Sequence, residues 1–156
     1  MLATGSQAPE FTLKSTVNNV SLKDYRGNPV ILVFYPADGT SVCSSQLALY
    51  NELLPVFEDY NAHLLAISSD SLESHVDFSK KLNLDFPLLS DEKAEVIRTF
   101  GVIDEKTKRA KRVLFVLDET GVIHWNYESP ASINPGADGI LKALESMKKR
   151  VINQES

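Results

Sequence analysis

The stretch Val30-Ile31-Leu32-Val33-Phe34-Tyr35-Pro36-Ala37-Asp38-Gly39-Thr40-Ser41-Val42-Cys43 decides the fold, because an unbroken apolar run in it gives way to a helix start. Six β-branched, aliphatic and aromatic residues in a row suit a strand buried on both faces rather than one alternating between core and solvent. Pro36 then withdraws a backbone donor and ends the ladder. Gly39 and Thr40 are helix-start residues, and Leu47, Leu53, Leu54 and Phe57 follow at roughly helical spacing. Cys43, the only cysteine among 156 residues, is thereby predicted in or near the first helical turn. Unpaired backbone N–H groups and the positive end of the helix dipole favour a thiolate there. The competing reading is an inert buried cysteine.

Outward from this stretch the pattern alternates strand and helix. A short hairpin is expected around Thr16-Val17-Asn18-Asn19-Val20, then the strand at 30–35, a helix from about 41 to 60, and a strand at 63–69. A helix over Ser71–Lys81 follows, with Ser71 and Ser74 as start residues, and Pro87 separates it from another helix around 92–99. Strands at 112–118 and 121–127 flank Glu119-Thr120-Gly121 as a hairpin, and a last helix begins near Asp138 with Ile140, Leu141, Leu144 and Met147 on its apolar face. This order predicts an α/β fold with a central mixed sheet flanked by helices, and residues 1–156 read as a single domain.

Composition sets bounds. The chain is 43% hydrophobic and 24% charged with a net charge of −5, the profile of a soluble globular protein. That acidic balance argues against nucleic acid as a partner, and no run is long enough to span a membrane. The start, Met1-Leu2-Ala3-Thr4-Gly5, lacks a basic leader, so a cytoplasmic location is expected. One cysteine rules out an intrachain disulfide framework, and His63, His75 and His124 follow no metal-ligand spacing; no metal or cofactor is expected. The basic runs Lys106–Arg112 and Lys148-Lys149-Arg150 read as solvated segments or a helix C-terminus.

Pro36, Thr40 and Cys43 stand in the Pro-x-x-x-Thr-x-x-Cys spacing, and in this the chain resembles the peroxiredoxins, thiol peroxidases on a thioredoxin-like fold. Gly5–Leu13, Phe86–Asp91 and Arg112–Asp118 resemble further family segments in the same order. The resemblance implies that Cys43 attacks a peroxide oxygen and becomes a sulfenic acid. It implies that Thr40 contacts sulfur and peroxide, that Arg112 faces both, and that Pro36 shields the sulfur. The backbone N–H groups of Val42 and Cys43 would help to hold hydrogen peroxide or a small organic hydroperoxide. Without the resemblance, Thr40 reads as an N-cap and Arg112 as a solvated charge. Ionisation alone accounts for little: a free thiol is already a few per cent thiolate, so full ionisation gains about 30-fold. A pKa drop of ~2.5 units costs about tenfold in nucleophilicity. Orientation and charge stabilisation at the breaking O–O bond must supply the remainder.

Two positions depart from the family's usual pattern. Gln46 stands where a glutamate is frequent, leaving Arg112 either less fixed or electrostatically freer toward Cys43; Gly39 stands where an aromatic is frequent, which alters the pocket rim. Ala48 occupies the position where the Q-type (bacterioferritin-comigratory) branch often has a resolving cysteine. The resemblance then implies a one-cysteine mechanism with an external reductant such as thioredoxin, glutaredoxin or a low-molecular-weight thiol, unless Ala48 is itself an engineered replacement. The AhpE-like and Q-type branches fit equally. The resemblance further implies a homodimer, with Val42, Leu47 and Tyr50 as candidate contacts, although each reads equally as internal core. Two other functions remain: a peroxide-sensing or redox-regulated binding protein, and a thiol-disulfide oxidoreductase, against which the lack of a Cys-x-x-Cys pair counts.

Overall fold

The structure, a computed structural model, describes the backbone of residues 1–155 and the side chains of residues 1–149. The chain runs β1 (Thr12–Ser15), β2 (Val20–Ser21), a 3-10 turn (Leu22–Tyr25), β3 (Val30–Phe34), α1 (Ser41–Glu52), α2 (Leu54–Glu58), β4 (His63–Ser68) and α3 (Leu72–Leu82). It continues through β5 (Leu88–Ser90), α4 (Glu95–Thr99), β6 (Ile103–Asp104), β7 (Arg109–Ala110), β8 (Arg112–Leu117), β9 (Ile123–Ser129) and α5 (Asp138–Glu155). Seven strands form one mixed sheet in the order β2-β1-β5-β4-β3-β8-β9, while β6 and β7 pair as a separate ribbon. β3 pairs in parallel with β4 and antiparallel with β8, so its backbone donors and acceptors are satisfied on both sides.

The unbroken apolar run has its cause in this position. Val30, Leu32 and Phe34 enter one core with Phe100, Phe115, Leu65 and Ile67. Ile31, Val33 and Tyr35 enter the other, with Leu47, Phe57, Leu114, Ile140 and Leu144. A strand covered on both faces needs apolar side chains at every position. No helix among the described residues is long and apolar enough to cross a membrane.

Several boundaries move. The helix expected from 41 to 60 is broken at Leu53, which ends α1 and opens α2. Pro55 has no N–H for an i−4 carbonyl but fits a first helical turn, so the chain stops and restarts there. The helix expected from 92 begins only at Glu95, because Ala94 takes a left-handed conformation with φ 57° and the Asp91 carboxylate caps the turn through Ile97 N–H at 2.8 Å. Ser71 caps α3 as expected, its hydroxyl accepting from Ser74 N–H at 3.1 Å. In the β8–β9 hairpin the Asp118 carboxylate accepts from Thr120 and Val122 N–H, and β9 starts at Ile123 rather than at 121.

Of the basic runs, residues 106–109 lie at the surface and Lys111 is half-buried: Lys108 pairs with Glu105 at 2.8 Å, both side chains being exposed. Ala110 is buried, and of the basic side chains in this run Arg112 alone turns inward. At the other run Lys148 lies over the Tyr60 ring, 5.4 Å from its centroid, and the Arg150 side chain falls outside the described residues.

Phe100 packs tilted against Phe34 and edge-on against Phe115, with ring centroids 5.2 and 5.4 Å away. Phe100→Ala is expected to lower the unfolding free energy by about 3–5 kcal/mol. Val17→Ala, at an exposed hairpin position, should stay within about 0.5 kcal/mol of the parent. Urea denaturation of both variants checks the contrast.

Candidate active site

β3 delivers the chain to α1 at the edge of the second core. Thr40 has the extended backbone of an N-cap, and its Oγ1 accepts from Cys43 N–H at 3.1 Å. The N-cap and the polar partner of the cysteine are thus one residue. Cys43 lies in the first turn of α1 and is 0% exposed, while Val42 is half-buried beside it. Pro36 and Asp38 are half-buried, and Thr40 and Gly39 are exposed at the entrance. Gly39 has φ +82° with open space where a Cβ would stand, so the rim depends on a left-handed backbone that a larger residue would strain.

Arg112 begins β8, directly across the sheet, and is only 2% exposed. Its Nη2 donates toward Cys43 Sγ at 3.4 Å and to Ala131 O at 2.8 Å, its Nε to Ala131 O at 3.3 Å, and its Nη1 to Gln46 Oε1 at 2.6 Å. The solvated-charge reading of Arg112 is therefore replaced by a buried one. Whatever a glutamate would add at position 46, the arginine is held by the carboxamide and by Ala131 O. The carboxamide fixes the guanidinium without adding negative charge.

Gln46 also turns its amide toward α1. Nε2 donates to Tyr50 Oη at 3.2 Å, and Tyr50 Oη donates to Gly136 O at 2.8 Å. Burial, partly offset by the Gln46 hydrogen bond and the Arg112 charge, pushes the Tyr50 phenol up to about 12, so it remains a donor. Asn134 reaches Ser45 Oγ at 3.2 Å, which ties the loop between β9 and α5 to α1 a second time. Tyr50 and Leu47 are fully buried within the chain, so the expectation that they form a dimer contact is corrected: both belong to the core, and only half-buried Val42 retains any surface. Tyr50's part in the site was missed, although its i+4 spacing from Gln46 on one helix face was a usable signal.

A second network lies behind Pro36. The Asp38 carboxylate accepts from Tyr35 Oη at 2.6 Å and Ser74 Oγ at 2.8 Å, and faces His75 Nδ1 at 2.7 Å. Burial raises the Asp38 carboxyl, but hydrogen bonds from His75, Tyr35 and Ser74 outweigh it and hold the group below its usual range. Asp38, Asp70 and His75 bring possible ligand atoms within 4.8 Å of one another, a cluster not expected from their sequence spacing. Those of Asp38 are already engaged by donors, which makes the cluster a hydrogen-bond network.

The AhpC/TSA family model matches residues 4–126. The chain is 38% identical over 146 residues to the chloroplastic peroxiredoxin Q of Sedum lineare, covering 92% of this chain and 78% of that protein. It is 29% identical over 150 residues to peroxiredoxin 2 of Picrophilus torridus, covering 92% and 75%. Among solved structures, the peroxidoxin BcpB of Mycobacterium tuberculosis superposes with a TM-score of 0.86 at 28% identity, covering 94% of this chain and 99% of that one. AhpC of Enterococcus faecalis, at 24% identity with a TM-score of 0.91 over 100% and 98% of the two chains, shares the fold. With a thioredoxin-like architecture and a matching family model over most of its length, the chain belongs to the AhpC/TSA family of peroxiredoxins.

Proposed function

We propose that Cys43 is the nucleophile through which this thiol-dependent peroxidase reduces hydroperoxides, with Thr40 and Arg112 as its catalytic partners. The carrying observation is the Arg112 Nη2 contact to Cys43 Sγ at 3.4 Å, made beside the Thr40 hydroxyl in the first turn of α1. Cys43 thiolate attacks one peroxide oxygen; the S–O bond forms, the O–O bond breaks, and the departing hydroxide or alkoxide takes a proton from solvent. Arg112, permanently charged and held on three sides, can follow the negative charge from sulfur to the leaving oxygen. Pro36 shields the sulfur, and the Val42 N–H, with the Cys43 N–H once it leaves Thr40 Oγ1, completes the peroxide seat.

Resolution needs a second thiol. Attack on the Cys43 sulfenic acid gives a mixed disulfide and water, and another thiol releases the enzyme. Thioredoxin, glutaredoxin or a small thiol in the cytoplasm fits this role, and residues 1–156 act as one domain. Cys43 is fully buried, so the first turn of α1 opens before a protein thiol reaches the sulfur for resolution. A homodimer at the Val42 rim belongs to the same reading: opening the turn would weaken it.

Cys43→Ser is expected to abolish peroxide consumption in the presence of excess dithiothreitol, measured by direct peroxide assay; retained turnover would defeat the assignment. Arg112→Lys keeps charge but loses the planar fork, and its rate of oxidation by hydrogen peroxide should fall by about tenfold or more. Alkylation by iodoacetamide should fall less. Equal losses would mean that Arg112 acts only on thiol ionisation. For the dimer, sedimentation equilibrium should detect association that weakens after peroxide treatment; a monomer in both states rules it out.

A further inference from the structure

His75 is fully buried on α3 and takes no part in the sulfur chemistry. Its Nδ1 lies 2.7 Å from Asp38 Oδ2, and its Nε2 lies 3.0 Å from the Leu89 carbonyl on β5. A carbonyl can only accept, so Nε2 carries a proton. At Nδ1 the question is whether the shared proton belongs to the ring or to the carboxyl. Asp38 already accepts from Tyr35 Oη and Ser74 Oγ, and its backbone N–H donates to Asp70 Oδ2 at 2.9 Å. A carboxyl facing donors at both oxygens is best matched as a carboxylate, which places the second proton on the ring. The Tyr35 hydroxyl, 3.4 Å from Nδ1, spends its proton on Asp38 Oδ1. The remaining charges face the loop from the other side: Asp70, held by Ser68 Oγ at 2.6 Å, and Arg109, which reaches Asp70 Oδ1 at 3.4 Å and Pro36 O at 3.3 Å.

We propose that a buried His75 imidazolium and the Asp38 carboxylate form a positioning pair that pins the Pro36–Thr40 loop and so sets the Thr40 hydroxyl against Cys43. The inference rests on Cys43 and Thr40 as the reacting pair and assigns how the second is held. Asp38 stands two residues before Thr40, with the flexible Gly39 between them. Without an anchor at Asp38, that glycine lets the loop turn; with it, the loop is tied to α3 through His75 and Ser74, to β5 through Leu89 by way of the ring, and to the end of β4 through Asp70. The pair also makes the loop sensitive to acid: Asp38, held below its usual range, loses its contribution as pH falls through its folded value.

Two measurements test this. In nitrogen NMR of the reduced protein, His75 is expected to show both ring nitrogens protonated at neutral pH. Stopped-flow oxidation by hydrogen peroxide reads the placement of Thr40. His75→Leu should lower the neutral-pH rate by about tenfold or more, because a displaced Thr40 spoils the attack geometry. His75→Asn keeps a donor toward Asp38 and should restore most of the rate. A ring with a single protonated nitrogen at neutral pH overturns the pair. So does a rate in His75→Asn as low as that of His75→Leu. Failure of the peroxidase reading is separate: it would appear as peroxide turnover surviving Cys43→Ser, whatever the protonation of His75.

Discussion

A guanidinium cannot shed its charge, so burying Arg112 to 2% exposure obliges the protein to build acceptors around it. Much of the site is arranged by that obligation. Ala131 O takes two of its hydrogen bonds, Gln46 takes one, and the fourth contact points to Cys43 sulfur. The first two acceptors are neutral. The charge is therefore held in place without being cancelled by them, and sulfur, the remaining contact, gains most from being negative. A charged partner at position 46 would bind the guanidinium more strongly and leave less of its field for the thiol.

The requirement propagates outward. Gln46 satisfies Arg112 with its carbonyl and therefore presents its amide to Tyr50, which passes a hydrogen bond on to Gly136. One helix face thereby orients the arginine and ties down the loop that supplies Ala131. The chain of bonds closes on itself: the loop holds Arg112, Arg112 holds Gln46, and Tyr50 holds the loop. Arg112, Gln46 and Tyr50 are buried, so breaking a bond between them leaves another polar group without water to replace it.

Much of this frame was legible in the sequence because it is local. The run 30–35 could only be a doubly buried strand, Pro36 had to end it, and Thr40 and Cys43 sit three apart, the spacing of an N-cap and the N–H it receives. The Arg112 position followed from its register to Phe115, not from its charge, which by itself pointed to solvent. The break at Leu53 was available in Pro55 and was overridden by the apolar spacing on either side. What escaped is long-range. Asp38 and His75 lie 37 residues apart, and Tyr50 and Gly136 lie 86 apart; no local pattern marks either pair. The two-residue β6 and β7 are likewise too short to leave a periodicity.

Those long-range ties explain why so small a site needs the whole sheet. Cys43 and Thr40 come from the end of β3, Arg112 from the start of β8, and the pinning of the Asp38 loop from α3, the end of β4 and the Leu89 carbonyl on β5. β3 lies directly between β4 and β8, and β5 is the next strand beyond β4. The core holds that order fixed through Leu32, Phe34, Leu65 and Phe115 on one face and Val33, Ala66 and Leu114 on the other. Tight packing resists small displacements, so the separation between β3 and β8 is set by the sheet and not by the reacting groups. Thr40 and Arg112 therefore meet Cys43 within the folded chain itself, and in the proposed reaction the cost of ordering them is met during folding rather than at the moment of attack.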